Sequence, residues 1–243
     1  MIEPEPQSGV RNMAFDEALL ERALEGECTV RWYRWDEATV SLGYFQEDAG
    51  ATDVSGLGLL PTVRRLTGGG AILHHHEWTY SCAVPSQHPL TQDPSAIYAL
   101  VHRQIIAALA EQGLAPALRG EAGRTASTEI GAGKERAFLC FGRGDPRDVI
   151  FRGHKIVGSA QRRRRGAVLQ HGSVLLRRSE HAAQFPGILD LAPQASFDEG
   201  TVRGVAEAMG SLFGAAVITP VHEGRVEERA AELEPSYPRL DWR

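Results

Sequence analysis

Hydrophobic and polar positions along the chain follow two patterns, one with the period of an α-helix and one with the short apolar runs of strands. Apolar stripes at helical spacing predict three helices, at 13–24, 95–112 and 201–213. Gly26 is expected to end the first helix, and Asp93-Pro94 precedes the second, where helices commonly begin. The second stripe is the clearest, so we expect that helix to pack on the main core.

Short runs of β-branched and aromatic residues predict strands at 29–35, 39–45, 59–65 and 80–84. The region 149–176 predicts two successive hairpins, the first turning at Arg152-Gly153 and the second at 164–166. Strands grouped in a meander, with the helices segregated from them, favour an α+β fold over a doubly wound parallel sheet.

Composition limits the size, the partners and the location of the protein. With 243 residues, 42% of them hydrophobic, the chain can bury one substantial core, and we expect a single domain over 1–243. A net charge of −5 argues against a nucleic-acid partner, although Arg162 to Arg165 form a local basic run. The first residues lack the pattern of a secretory signal, and no apolar run approaches membrane-spanning length. We therefore expect a cytoplasmic protein without a membrane partner.

A thiol, a lysine and an imidazole fall close together in the second half of the chain. Three cysteines, Cys28, Cys82 and Cys140, are an odd number without CxxC spacing, which suggests neither a disulfide framework nor a zinc site. The stretch 119–139 is small, polar and glycine-rich, and predicts a mobile loop that leads directly to Cys140. Lys155 and His171 follow, which suggests an acyl-transfer site, against the alternatives of a structural cysteine and a surface lysine.

A glycine run lies within Arg64 to His74. Its backbone N–H groups can approach an anion or a carbonyl closely, and the arginines before it can hold a phosphate. Taken alone, the pattern favours a glycine-rich turn with surface arginines.

The tract His74-His75-His76-Glu77 raises the question of a metal ion. On a strand, adjacent histidines point to opposite faces, so only His74 and His76 could share an ion, and no third ligand is evident. We therefore expect no metal site, and expect the histidines to line a cleft or a turn.

Several segments match, in order, the pattern of one known superfamily. They are Asn12 to Leu20, Ser41 to Gln46, Arg64 to His74, Thr79 to Ser81, Cys140-Phe141, Gly153 to Gln161 and Leu169 to Ser173. On these residues the chain resembles the biotin/lipoate ligase and octanoyltransferase superfamily, and is most similar to the cysteine-dependent octanoyltransferases of lipoate assembly. The resemblance implies a mixed, largely antiparallel sheet flanked by helices, as in a biotin/lipoate ligase catalytic domain, with a tunnel for a medium-length acyl chain.

The resemblance also implies a chemistry and its residues. An octanoyl group would move from acyl carrier protein to a lysine of a lipoyl domain or of a glycine-cleavage carrier protein, with no cofactor. Cys140 would be the nucleophile, and Lys155 would lower its pKa and donate to the acyl carbonyl. His171 would bind substrate by orienting the reacting groups, or would accept a proton from the incoming amine. The other residues expected to bind substrate are Arg65, Thr67, Gly68, Gly69, Gly70, Ala71, Ile72, Leu73, His74, Gly158, Ser159, Ala160, Gln161 and Gly172.

Two other functions stay open. A lipoate-protein ligase of the same superfamily would use the glycine run and Lys155 with ATP, and would form an acyl-adenylate. It is disfavoured because such ligases generally carry or recruit an accessory domain, and this chain ends at Arg243. A non-catalytic homologue that binds acyl groups or carriers is disfavoured because Cys140 and Lys155 are both present.

The chain departs from the family pattern in two places. His74-His75 stands where relatives commonly have His-Asp, and 142–147 replaces an aromatic and acidic stretch with a basic one. The arginines nearby could form a basic rim that steers an acidic carrier protein, and the alternative is a solvated charged turn. The rim would consist of Arg143, Arg147, Arg152 and Arg162 to Arg165.

Overall fold

Two β-sheets and flanking helices make up the fold in the computed structural model, which describes residues 2–3, 5–46, 57–122, 139–142, 144–214 and 224–237. The helices of these ranges are α1 (Gly9–Leu24), α2 (Pro94–Ala110), α3 (Ile188–Leu191), α4 (Glu199–Leu212) and α5 (Gly224–Leu233). The strands are β1 (Thr29–Tyr33), β2 (Thr39–Leu42), β3 (Thr62–Arg64), β4 (Ile72–His74), β5 (Glu77–Val84), β6 (Ala117–Leu118), β7 (Val149–Phe151), β8 (His154–Arg164) and β9 (Ala167–Leu175).

The larger sheet has the order β1-β5-β9-β8-β7-β6 among the described strands, with every neighbouring pair antiparallel. Both predicted hairpins are present, and β8 serves both of them as one continuous strand. Each hairpin closes through two residues with positive φ, Arg152-Gly153 and Arg165-Gly166. Positive φ at both central residues is the backbone that lets a two-residue loop follow the twist of its strands.

The predicted strands 39–45 and 59–65 form a separate small sheet of order β3-β2-β4. The pair β2 and β3 is parallel, and the pair β2 and β4 is antiparallel, so the strands of the protein are mixed in direction. The glycine run connects β3 to β4 and is therefore held at the end of this small sheet.

Helices cover both faces of the larger sheet. Alternation along the strands sends Trp32 and Val168 to the core beneath α2 and α4, and sends Tyr33 and Leu169 to the core beneath α1 and α5. Strands β5 and β9 are buried on both faces, so their polar residues, such as Thr79, Ser81 and Gln170, lie inside the protein. The prediction of an α+β fold with a largely antiparallel sheet and flanking helices is confirmed.

The helix ends differ from prediction by a few residues. Helix α1 begins four residues earlier than predicted because the Ser8 hydroxyl caps it, accepting a hydrogen bond from the Arg11 N–H at 3.3 Å. Of the predicted loop 119–139, only residues 119–122 and 139 lie in the described ranges. None of the described helices combines the length and apolar character that crossing a bilayer requires.

Candidate functional site

Cys140 begins a single 3₁₀ turn, Cys140–Gly142, that docks against the end of the glycine run. Its backbone N–H donates to the Ala71 carbonyl at 2.7 Å, beside a parallel bridge between Ala71 and Leu139. The Cys140 Sγ lies 3.8 Å from the position that a Cβ would occupy on Gly69, whose φ of +95° favours glycine. Cys140 is only partly buried and Gly69 is exposed, so the thiol lies between solvent and the apolar cluster that contains Leu139 and Phe141.

The Lys155 ammonium lies beside the backbone of Cys140. Its Nζ is 2.9 Å from Asp148 Oδ1, 3.5 Å from the Cys140 carbonyl oxygen and 5.0 Å from the centre of the Phe141 ring. Burial raises the pKa of the Asp148 carboxyl, and the Lys155 charge opposes that rise. The lysine is itself buried, so Asp148 and the carbonyl fix its ammonium next to the thiol segment.

Gly158 leaves the space that the Lys155 side chain occupies. A Cβ on Gly158 would lie 2.4 Å from Lys155 Cε and 2.8 Å from its Nζ. The glycine is therefore required for the path of the lysine across β8.

Arg65 is fully buried beneath the glycine run. Its guanidinium donates to the carbonyls of Gly68, Gly70 and Ser41 at 2.6, 2.7 and 2.7 Å. Burial lowers the pKa of Arg65 to about 10, and the nearby Cys140 opposes that shift, so the guanidinium stays charged at neutral pH. The alternative of surface arginines does not apply, because Arg64 is buried as well.

Two chains of hydrogen bonds support Arg65 from behind. In the first, Asp16 Oδ2 lies 3.2 Å from His171 Nδ1, and His171 Nε2 lies 2.7 Å from Thr67 Oγ1. Thr67 Oγ1 in turn accepts from Arg65 Nε at 3.1 Å. Burial acts to raise the pKa of Asp16, but its hydrogen bond to His171 and the Arg31 charge hold it below the usual value. An ionised carboxylate only accepts, so His171 Nδ1 is the donor, and Nε2 accepts from Thr67.

The second chain uses the first residue of the histidine tract. Glu77 Oε1 lies 2.7 Å from His74 Nδ1, and His74 Nε2 lies 2.7 Å from Ser41 Oγ. Arg65 Nη1 is 3.3 Å from the same Ser41 hydroxyl. His74 is buried and stacks on Trp35, so both of its nitrogens are committed inside the protein.

A further chain of hydrogen bonds runs from Gln161 through Gln170, Tyr80, Ser159 and His102 to the Arg147 carbonyl. A carbonyl only accepts, so His102 Nδ1 carries the hydrogen and Nε2 accepts from Ser159. Burial lowers the pKa of His102 to about 4, which keeps this ring neutral. The hydroxyl of Ser159 is thus committed to internal contacts, and the chain anchors the residue that precedes Asp148.

An apolar pocket lies next to the Cys140 segment. Leu139 and Phe141, the two neighbours of Cys140, both line it. Its other walls are Ala71, Ile72, Leu73, Leu175, Ala182 and Phe185, with His75, His76, Arg177 and Ser179 as polar members.

The structure therefore brings part of the predicted site together and separates the rest. Cys140, Lys155 and the glycine run from Arg65 to Ala71 meet at one place, while Ile72 and Leu73 face the apolar pocket. Ser159 and Gln161 belong to the internal chain of hydrogen bonds. Gly172 sits beneath Ser159, where a Cβ would meet the Ser159 hydroxyl at 2.4 Å, and Ala160 pairs with His171 across β8 and β9.

Several arginines of the predicted basic rim make contacts with other residues of the protein. Arg147 pairs with Asp145 at 2.8 Å, and Arg164 approaches Glu17 at 3.4 Å. Arg162 lies over the Tyr44 ring at 4.3 Å. Arg152 donates to the Leu191 carbonyl, and Arg143 lies outside the described residues.

Sequence reasoning missed Asp148, Asp16 and Ser41. Asp16 carried a usable signal, because it falls on the inward face of α1 among Met13, Leu19 and Leu20, where a charge needs a buried partner. Asp148 and Ser41 carried none, since their roles depend on contacts across the chain.

Relatives of known name are similar to this chain in sequence over about 70% of its length. Octanoyltransferase LipM of Brevibacillus brevis is 37% identical over 183 residues, which are 72% of this chain and 64% of that protein. Octanoyltransferase LipM of Moorella thermoacetica is 41% identical over 181 residues, which are 68% of this chain and 60% of that protein. The chain thus spans less than two thirds of the length of these curated relatives.

Solved structures share the fold at lower identity. The bipartite lipoate protein ligase of Thermoplasma acidophilum, studied with its E2 lipoyl domain, is 19% identical, with a TM-score of 0.69 over 97% of this chain and 90% of that one. A lipoate-protein ligase A bound with ATP is also 19% identical, with a TM-score of 0.69 over 97% of this chain and 92% of that one. The likeness to both concerns the fold.

Residues 8–223 match the family described as the lipoyl protein ligase A/B catalytic domain. That range is most of the chain and includes every residue of the thiol site. The resemblance inferred from the sequence is confirmed, and the chain belongs to the lipoyl protein ligase A/B catalytic domain family.

Proposed function

We propose that this protein is an octanoyltransferase of protein lipoylation that works through an acyl-cysteine. The observation that carries the proposal is the partly exposed Cys140 thiol, packed against Gly69, with Lys155 beside its backbone and the Arg65 charge behind it. Relatives at 37% and 41% identity are named octanoyltransferases.

In the first step the Cys140 thiolate attacks the thioester carbonyl of octanoyl carrier protein. The new bond joins Cys140 Sγ to the acyl carbon, and the bond from that carbon to the carrier thiol breaks. The departing thiolate takes up a proton. We assign to Lys155, whose Nζ lies 3.5 Å from the Cys140 backbone carbonyl, the role of donating to the acyl carbonyl oxygen as it becomes negative.

In the second step a lysine amine of a lipoyl domain or a glycine-cleavage carrier protein attacks the acyl-cysteine. The amide forms, Cys140 leaves as the thiolate, and the amine releases to solvent a proton that balances the one taken up from solvent by the carrier thiolate in the first step. His171 lies behind Thr67, which hydrogen-bonds it at 2.7 Å, so we assign it to positioning Arg65 rather than to taking this proton. Neither step requires ATP or another cofactor.

We assign the octanoyl chain to the apolar pocket, because the residues that line it are mostly apolar. It begins at Phe141, which directly follows the nucleophile, and its walls include Leu73 and Phe185. Arg147, Arg152 and the run 162–165 would contact the acidic carrier protein on the outside.

The proposal is tested by intact mass spectrometry after incubation with octanoyl carrier protein without ATP. We expect one octanoyl group per chain, released by hydroxylamine as a thioester is. Cys140→Ala should abolish the adduct. Cys28→Ala is the matched control and should keep it, since burial raises the pKa of Cys28 to about 11 and so makes it a poor nucleophile.

Two outcomes would contradict the proposal. An adduct that survives in Cys140→Ala would exclude this cysteine as the nucleophile. Acylation that requires ATP and free octanoate or lipoate, with release of pyrophosphate, would favour the ligase alternative.

A further inference from the structure

A cluster of two histidines and one glutamate lies outside the thiol site. His75 and His76 form the bend between β4 and β5, and Glu180 comes from the 3₁₀ turn Glu180–Ala182. One potential ligand atom from each of these three residues lies within 4.8 Å of the other two. The rings of His75 and His76 stack with their centres 3.7 Å apart.

This arrangement differs from what strand alternation predicted. Strand β4 ends at His74, so His75 and His76 are not in a strand, and their rings lie on the same side. His74, by contrast, uses both ring nitrogens on Ser41 and Glu77. The sequence offered no third ligand because Glu180 is more than 100 positions away in the chain.

We propose that His75, His76 and Glu180 bind one divalent transition-metal ion of the zinc class. Two imidazole nitrogens and one carboxylate oxygen suit Zn²⁺, Ni²⁺ or Cu²⁺, whereas Mg²⁺ and Ca²⁺ prefer sets of oxygen ligands. Three protein ligands leave the remaining coordination positions to solvent. His75 and His76 also line the pocket assigned to the octanoyl chain, but the proposed metal binding does not depend on acyl transfer.

The spacing needs only a small adjustment to accept the ion. Ligand atoms bonded to zinc at about 2.0–2.1 Å in a tetrahedron are about 3.4 Å apart. His76 and Glu180 are exposed and can turn inward without disturbing the core. His75 is partly buried, and its Nδ1 lies 3.0 Å from the Ser179 hydroxyl and 3.6 Å from Glu180 Oε2, so this ring is already held beside the carboxylate.

A bound ion would join two segments that border the apolar pocket. His75 and His76 line one side of that pocket, and Ala182 and Phe185 follow Glu180 on the other side. Because the ligands come together only in the folded chain, binding should raise the melting temperature.

The test uses the full chain without a polyhistidine tag, stripped of metal and titrated with ZnCl₂ against a chromophoric chelator. We expect one zinc ion per chain, a higher melting temperature with zinc, and no displacement by excess Mg²⁺. His76→Ala and Glu180→Gln each remove an exposed ligand, and each should weaken the zinc Kd at least about ten-fold. His88→Ala, a partly exposed histidine elsewhere, should bind zinc as the wild type does.

Cysteine thiols also bind zinc, so a thiol control is needed. Cys140→Ser should keep the wild-type zinc Kd. Loss of binding in Cys140→Ser would place the ion at the thiol and overturn the proposal. Absence of zinc binding by the wild type, or wild-type affinity in both His76→Ala and Glu180→Gln, would overturn it as well.

Discussion

Gly158 leaves the space through which the Lys155 side chain reaches Asp148 and the Cys140 backbone. A Cβ there would lie 2.4 Å from Lys155 Cε, closer than side chains approach one another. The atoms that would clash belong to the flexible end of a lysine, which can swing away. The ammonium would then lose its contacts of 2.9 Å to Asp148 and 3.5 Å to the Cys140 carbonyl.

Gly158→Ala should therefore impair acylation far more than folding. We expect the rate of acylation by octanoyl carrier protein to fall on the order of 10²–10³, the cost of misplacing a donor aimed at developing charge. The rate should approach that of Lys155→Ala. Single-turnover mass spectrometry measures the rate. Urea denaturation measures the free energy of unfolding, which should fall by about 1–3 kcal/mol because the buried Asp148 carboxylate loses its partner, while the protein stays folded.

Gly204→Ala is the matched control. Gly204 lies on the exposed side of α4, where a Cβ meets no atom within 4 Å. Alanine there should stabilise the helix by about 0.5–1 kcal/mol and leave acylation unchanged. A wild-type acylation rate in Gly158→Ala would show that the position of the Lys155 ammonium does not matter.

For single residues, the sequence indicated which side chains belong to the candidate site better than it indicated which residues they contact. Cys140, Lys155 and Arg65 could be named because their chemistry and the family pattern single them out. Asp148 could not, since only the folded hairpin of β7 and β8 brings its carboxylate to 2.9 Å from Lys155. Ser159 was expected to bind substrate, but its hydroxyl bonds to Tyr80 and His102 on other elements.

The turn between β8 and β9 holds one residue in a backbone conformation that is energetically unfavourable for it. This two-residue turn places Arg165 at φ 47° and Gly166 at φ 87°. Glycine adopts such a backbone freely, but for arginine it costs about 1–2 kcal/mol because Cβ crowds the following carbonyl. Asparagine tolerates this conformation better, and Asn-Gly is the favoured pair for such turns.

Arg165→Asn should therefore raise the free energy of unfolding by about 0.5–1 kcal/mol. In a chain of this size that gain corresponds to a melting temperature higher by about 1–4 °C, which calorimetry can measure. The rate of acylation at saturating carrier protein should be unaffected, because Arg165 is exposed at the tip of the hairpin, and loss of its proposed contact with the carrier would raise only the KM.

Arg165→Gln separates the backbone effect from the loss of charge. Glutamine removes the same charge but has no preference for positive φ. We expect no gain in stability from it. Equal stabilisation by asparagine and glutamine would assign the effect to relief of charge repulsion along residues 162–165 instead.

The sequence predicted these hairpins because their signals are local. A turn with glycine between two apolar runs is contained within a few residues. The small sheet was not predicted, because nothing in 39–45 or 59–65 shows that β2 pairs with β3 and β4 instead of joining the larger sheet. That pairing depends on contacts between separate segments, including the bond from Arg65 to the Ser41 carbonyl, 24 positions away.

Across the whole molecule, buried neutral histidines link helices to sheets on both faces. His102 of α2 joins Ser159 of β8 to the Arg147 carbonyl, and His171 of β9 joins Asp16 of α1 to Thr67. Burial lowers the pKa of both histidines, that of His102 to about 4. In the unfolded chain a histidine titrates near pH 6.5. Between those two values only the unfolded chain binds the proton, so acid favours unfolding.

The stability that neutral His102 contributes should thus be complete above pH 6.5 and be lost as the pH falls toward 4. We expect His102 alone to lower the free energy of unfolding by about 2 kcal/mol between pH 7 and pH 5, measured by urea denaturation at constant ionic strength. His102→Gln keeps a donor and an acceptor but cannot titrate, so it should be less stable at pH 7 and lose less stability at pH 5. His88→Gln, outside these networks, should keep the wild-type pH dependence. If His102→Gln also kept the wild-type pH dependence of stability, His102 would have to be protonated in the folded protein at pH 5. A protonated ring could not accept the hydrogen bond from Ser159.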